Sequence, residues 1–135
     1  MEVESNFKPE ASRHLKTEIC SEGAYAVWDS NALNGQVGKN AALQARLLTK
    51  FLYGSAQQVA ELTAVAMAGQ PLKVAQIAHQ LKSSSRSVGA MQLGEACQLA
   101  ETAGNAGQVE DCKALAAVIG ERYAVVSKVI QASLV

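Results

Sequence analysis

Aromatic side chains are scarce in this 135-residue chain: one Trp, three Tyr and two Phe, 4% of the total. A core without large rings must be filled by Ala, Leu and Val, which supply much of the 49% apolar content. Proline is nearly absent as well, Pro9 and Pro71 alone, so helices meet few breaks. Together these shortages favour helices packed closely on small side chains. Net charge is also lacking. Twelve basic and twelve acidic residues cancel, leaving no global field to attract nucleic acid or an anionic membrane surface. No apolar run approaches the roughly 18 residues of a membrane span, and Met1–Glu10 is too polar for a secretory signal. Cys20, Cys97 and Cys112 lie far apart with no C-x-x-C pair, the pattern of free thiols in a reducing compartment. Cys97 and Cys112 fall in apolar-periodic stretches and are expected in the core. The expectation is a soluble, cytoplasmic chain.

What is present is helical punctuation. Residues 1–27 are weakly periodic and mixed in charge, a linker or accessory segment, and 28–135 form the predicted domain. Asp29 is placed to cap a short turn of helix ending at Gly35. Asn40 is an N-cap for a helix over Ala41–Tyr53, with Leu43, Leu47, Leu48 and Phe51 on one side. Gly54 reads as its stop, and Ser55 with Gln58 as a capping box that restarts the chain to about Ala68. Pro71 fits the first turn of a helix running to about Ser87. Ala90–Ala103 follows, ended by Gly104, and then a last helix over Gln108–Ser133. Its stripe of Cys112, Leu115, Ala116, Ile119, Tyr123, Val126 and Ile130 keeps the 3.6 period. No strand pattern competes. Short connections imply antiparallel neighbours, hence an all-α, up-down four-helix bundle with one broken helix and a short N-terminal addition.

The informative stretch is Val74–Gly89, V-A-Q-I-A-H-Q-L-K-S-S-S-R-S-V-G. With about 100° per residue, Val74, Ile77, Ala78, Ser84, Ser85 and Val88 gather around Leu81 as a core stripe. His79 lies about 160° from Leu81, on the outer face, with Gln76, Ser83 and Arg86 as neighbours and Lys82 on the flank. Between Glu61 and Glu95 there is no carboxylate, while Lys73, Lys82 and Arg86 are present. An uncrowded imidazole in locally cationic surroundings suits an incoming anionic group, with Lys82 offering a mobile ammonium. On the residues alone a second reading stands beside this one, a solvated basic face carrying an incidental histidine. His14, in the poorly patterned N-terminus, is read as incidental.

The run A-H-Q-L-K-S-S-S-R-S-V-G-A-M-Q-L-G-E-A-C-Q-L-A-E, Ala78–Glu101, resembles the signature of histidine-containing phosphotransfer (HPt) domains. That signature reads A-H-x-L-K-[GS]-[SA]-[SA], then a G-A pair, Leu, Cys, Leu and Glu. Leu47-Leu48 through Phe51-Leu52, Val59 and Leu62, and Val109–Val129 with its Tyr are similar to the flanking family segments. The likeness extends over roughly residues 28–133. It implies that His79 is a nucleophile that takes a phosphoryl group from a receiver-domain aspartate and passes it to another. Lys82 would then neutralise phosphoryl oxygens, and Glu101, on the adjacent helix, would orient the imidazole. Many members have Gly where this chain has Ser83, which bears on how tightly a partner approaches. Docking is expected on Ala75, Gln76, Ser83 and Arg86, with an apolar contribution from Ala32 and Leu33. No metal or cofactor of its own is expected, since Mg²⁺ would come with the receiver. An isolated domain is expected to be a monomer.

Other functions lack their motifs. An autonomous kinase needs a nucleotide-binding domain, for which the bundle leaves no room, and G-x-x-x-x-G-K-[ST] is absent. Glu-x-x-His pairs of metal-carboxylate bundles do not occur. The remaining alternative is a helical bundle serving only as an interaction or scaffold domain. Val27-Trp28-Asp29 resembles the junction where an HPt domain follows a receiver in hybrid sensor kinases, which would add a histidine kinase to the partners and a membrane-bound context.

Overall fold

The computed structural model describes residues 25–135. His14 and Cys20, and most of the N-terminal segment, lie outside the described residues. Five helices follow in order: α1 (Asn34–Val37), α2 (Ala41–Met67), α3 (Pro71–Val88), α4 (Met91–Asn105) and α5 (Val109–Ser133). No strand occurs among the described residues. The four long helices close a ring in which α3 packs on α2 and α4, α4 on α5, and α5 back on α2. Their connections, Ala68–Gln70, Gly89–Ala90 and Ala106–Gln108, are too short for anything but antiparallel neighbours. The interior is aliphatic and small: Leu62, Leu81, Leu93, Leu115, Ile119 and Ile130 are fully buried, with Ala78, Ala96, Ala100, Cys97 and Cys112 among them.

Several boundaries lie where the punctuation puts them. The Asn40 side chain accepts from the Leu43 amide at 3.0 Å, and Pro71 opens α3. Gly89 ends α3 with φ +96°, and a Cβ there would sit 2.2 Å from the Asp29 carbonyl oxygen. Glycine is therefore required both for the left-handed turn and for the approach of the preceding segment. That segment is tied down. The Asp29 amide donates to the Gly89 carbonyl at 2.8 Å, and Trp28 Nε1 donates to the Val88 carbonyl at 3.0 Å. Attachment begins before Trp28: Ala26 and Tyr25 carbonyls accept from the backbone and side chain of Gln92.

Three expectations are corrected. The predicted break at Gly54 is not there, and α2 is one continuous helix of 27 residues. Ser55 does not cap; its buried hydroxyl donates back to the Phe51 carbonyl at 2.5 Å. A mid-helix glycine costs about 1 kcal/mol, too little to break a helix whose Leu48, Phe51, Leu62 and Ala66 are all buried. Likewise Gly104 does not stop α4. It is a point of close contact, where a Cβ would lie 2.5 Å from the Pro71 carbonyl oxygen and 2.8 Å from the Ala75 nitrogen. The N-terminal turn runs past Gly35 and ends at Gly38.

Candidate functional site

His79 stands on the third turn of α3 with its side chain 62% exposed. Ala78 and Leu81, its sequence neighbours on the inner face, are fully buried, so the backbone beneath the imidazole is rigidly placed. Across the groove, α4 presents Glu101. Its Oε2 lies 3.0 Å from His79 Nδ1, and its Oε1 lies 2.7 Å from Lys82 Nζ. Lys82 Nζ also donates to Gln98 Oε1 at 3.0 Å. One carboxylate thus bridges the histidine and the lysine of the motif.

The protonation pattern follows from this geometry. The Lys82 ammonium foremost, and His79 in addition, hold the Glu101 carboxyl below its ordinary range, against the opposing effect of partial burial. An ionised carboxylate accepts only, so Nδ1 must carry the proton in this contact. In the neutral ring the lone pair is then on Nε2, which has no hydrogen-bond partner among the described residues. A shallow groove of about 350 Å³ opens at the ring, lined by Ala75, Gln76, His79, Gln80, Glu101 and Asn105. A deeper, more apolar groove of about 480 Å³ lies between α2 and α3 over Leu33, Phe51 and Val88, and His79 does not line it.

The remaining sequence candidates sort clearly. Gln76 and Ser83 are exposed beside His79, as expected. Arg86 is 44% exposed, and its stem lies over Gly94, where a Cβ would come within 2.9 Å of Arg86 Cγ. Ala75 is not on the open face: it is 5% exposed, covered because Gly104 lets α4 close on it. Leu33 is 4% exposed and belongs to the core. It is unavailable for docking, and half-buried Ala32 packs beside the Gly89 turn, about 15 Å along α3 from His79. Lys82 is not a mobile ammonium but an ion-paired one, its side chain only 16% exposed. The face is also less cationic than the α3 sequence suggests. Glu101 neutralises Lys82, and Glu95 approaches Arg86 at 3.9 Å. Gln98 escaped the sequence reading, although its place one turn before Glu101 on α4 was the available signal.

An imidazole with its outer nitrogen free, oriented by a carboxylate and flanked by a lysine, fits a histidine that exchanges a phosphoryl group. The family comparison agrees, with the Hpt domain model matching residues 46–132. The chain belongs to the Hpt domain family. Among solved structures it is similar to histidine-containing phosphotransfer protein B (HptB) from Pseudomonas aeruginosa PAO1. The two share 22% identity and a TM-score of 0.75, over 81% of this chain and 95% of that one. At that identity the likeness speaks for the fold, the same helical bundle. A search among curated proteins finds no match. As an Hpt domain, the chain works in histidine phosphotransfer within phosphorelay signalling, where such domains interact with receiver domains. Among the described residues no helix is long and apolar enough to cross a membrane. Nor are three His, Cys, Asp or Glu side chains grouped there so as to hold a metal ion.

Proposed function

We propose that His79 is the phosphoryl acceptor and donor of this Hpt domain, with Glu101 as the residue that positions its ring and Lys82 as the charge that receives the phosphoryl oxygens. The contact between His79 Nδ1 and Glu101 Oε2 at 3.0 Å carries the reading. In the neutral ring it leaves the lone pair on Nε2, where an attacking nitrogen needs it. Nε2 attacks the phosphorus of a receiver's aspartyl phosphate in line. The new N–P bond forms as the P–O bond to the aspartate breaks, and the carboxylate leaves. As positive charge develops on the ring, Glu101 stabilises it through Nδ1–H. Return to a receiver aspartate is the same path reversed, with the carboxylate attacking and Nε2 leaving.

Lys82 reaches the transferred group only by exchanging partners. Its ammonium rests on Glu101 and Gln98, one turn from His79, and three phosphoryl oxygens compete for it once the group arrives. The charge that neutralises the phosphoryl is therefore stored beside the site and screened until needed. Mg²⁺ belongs to the receiver's acidic pocket, and no kinase activity is assigned to this chain. A cytoplasmic setting and a monomeric state accompany this reading.

The test is incubation with a phosphorylated receiver domain and recovery of acid-labile, base-stable label on this chain. His79→Gln should abolish acceptance while leaving helicity and melting unchanged, because the side chain is exposed. Full labelling of that variant would remove His79 from the reaction. Unfolding would make the histidine structural.

A further inference from the structure

We propose that Leu72 and Arg86 are the two poles that orient a docked receiver domain on α3, Leu72 as its apolar anchor and Arg86 as its charged end. The inference rests on the phosphotransfer reading above and adds how the partner is held. Each residue lies about two helical turns from His79, so with about 100° per residue both return to within roughly 20° of its direction. Leu72, Gln76, His79, Ser83 and Arg86 thus form one line along the open side of α3, and all five are exposed.

Leu72 is 63% exposed and takes no part in the hydrophobic core, so folding gives no reason for a leucine there. In the first turn of a helix, acidic and small polar residues are the favoured occupants. The other exposed large apolar side chains of the long helices, Tyr53, Met67, Val125 and Val129, stand on α2 and α5. On α3 only Leu72 is of this kind. It also fills the role that buried Leu33 cannot.

The occupant follows from continuity with the site and from charge. Whatever brings a phosphoryl group to Nε2 must cover this line. A footprint of roughly 800 Å² per partner spans about 30 Å, enough to reach both poles, which are about 20 Å apart. A pocket that holds Mg²⁺ beside an aspartate is acidic. Helix α3 carries no Asp or Glu at all. The two carboxylates that reach this line from α4 each face a cation, Glu101 on Lys82 at 2.7 Å and Glu95 near Arg86 at 3.9 Å. Arg86, 44% exposed, keeps its guanidinium open to the rim of such a pocket. A partner with apolar surface on one side of its acidic pocket then has one rotation about His79 that satisfies both ends.

The experiment uses the full chain and a purified, phosphorylated receiver domain that labels it. Leu72→Ser should raise the receiver concentration needed for half-maximal transfer about tenfold, as loss of an apolar anchor does, with the rate at saturation kept. Leu72→Met should restore it. The Leu72→Ser deficit should persist in 1 M salt, whereas a comparable deficit in Arg86→Glu should shrink there, because only the latter is electrostatic. Potassium phosphoramidate, a small donor that needs no docking, labels the imidazole directly as its P–N bond breaks and ammonia leaves. It should label Leu72→Ser like the parent chain. An unchanged half-saturation in Leu72→Ser, or equal loss of phosphoramidate labelling, overturns the docking role. Receiver-dependent labelling of His79→Gln would instead overturn the phosphotransfer reading itself.

Discussion

Removing the Glu101 carboxylate tests the positioning argument most directly. Glu101→Gln keeps an oxygen that can accept from His79 Nδ1–H but takes away the charge, and Glu101→Ala takes away both. A hydrogen bond to a charged group contributes about 1.5–3 kcal/mol. With His79 62% exposed, solvent screens part of this, and a share of about 1–2 kcal/mol is expected in the transition state, where the ring is most positive. That corresponds to a transfer rate about five- to thirtyfold slower for Glu101→Ala, with Glu101→Gln between it and the parent. The assay is single-turnover transfer from a saturating phosphorylated receiver, paired with ring-nitrogen NMR of His79 to read the tautomer. Folding stability separates positioning from mere scaffolding. Loss of a partly exposed ion pair with Lys82 should cost no more than about 1 kcal/mol. The sign of its pH dependence is fixed by the lowered Glu101 pKa, which has the Lys82 ammonium as its main cause. A depressed carboxyl contributes stability that is fully present above the unfolded value, about 4.3. It is lost as pH falls through the folded value. The stability gap between the parent and Glu101→Gln should therefore be constant near neutrality and close below about pH 4. Parental transfer rates in Glu101→Ala, together with an unchanged Nδ1–H tautomer, would refute the argument.

Lys82→Ala should slow transfer about tenfold or shorten the phosphohistidine lifetime without eliminating acceptance, because it removes charge and not the nucleophile; pulse-chase labelling measures both. Ser83→Tyr should block receiver-dependent transfer by sterics while circular dichroism stays parental, since Ser83 is exposed. Normal transfer by it would place the partner elsewhere. Gly54→Ala should raise stability by about 1 kcal/mol, because a Cβ there meets nothing within 4 Å, and thermal melting should rise by a few degrees. Cys97 is fully buried, and burial foremost pushes its thiol up to about 12, so it should resist thiol reagents in the native state and react on unfolding.

The sequence was most legible where a single helix decides the outcome. Asn40, Pro71 and Gly89 act on the backbone next to them, so their signals could be read locally. The outward direction of His79 needs only the helical repeat. Reading faltered wherever a second helix takes part. Ala75 and His79 share the outer half of α3 on a helical projection, but Gly104 brings α4 down onto Pro71 and Ala75, leaving His79 open. The charge balance read along the chain found Lys73, Lys82 and Arg86 unopposed, because Glu95 and Glu101 arrive from α4 across the groove. Leu33 looked available on a short helix that has no buried face of its own, yet it closes the core at the Val88 end. Gly54 and Ser55 imitate a stop and a cap. The buried face of α2 overrides both, since packing of an amphipathic face outweighs local propensity.

The same shortage of bulk that marks the composition also builds the site. For Glu101 to touch both His79 and Lys82, α3 and α4 must lie closer than helices faced with Leu or Phe allow, since interaxial distance follows side-chain size. Their interface provides this. Ala75 and Ala78 of α3 meet a helix carrying Gly94, Ala96, Cys97, Ala100 and Gly104, and all of these are buried. At Gly104 even a methyl group would collide with the backbone of α3. A carboxylate on a short stem then spans the remaining gap with one oxygen to each partner. Core packing and chemistry are therefore the same constraint in this domain. A larger residue at Gly104 would push α4 outward, lengthen both Glu101 contacts and free the imidazole to rotate. The exposed nitrogen would remain, but not its orientation.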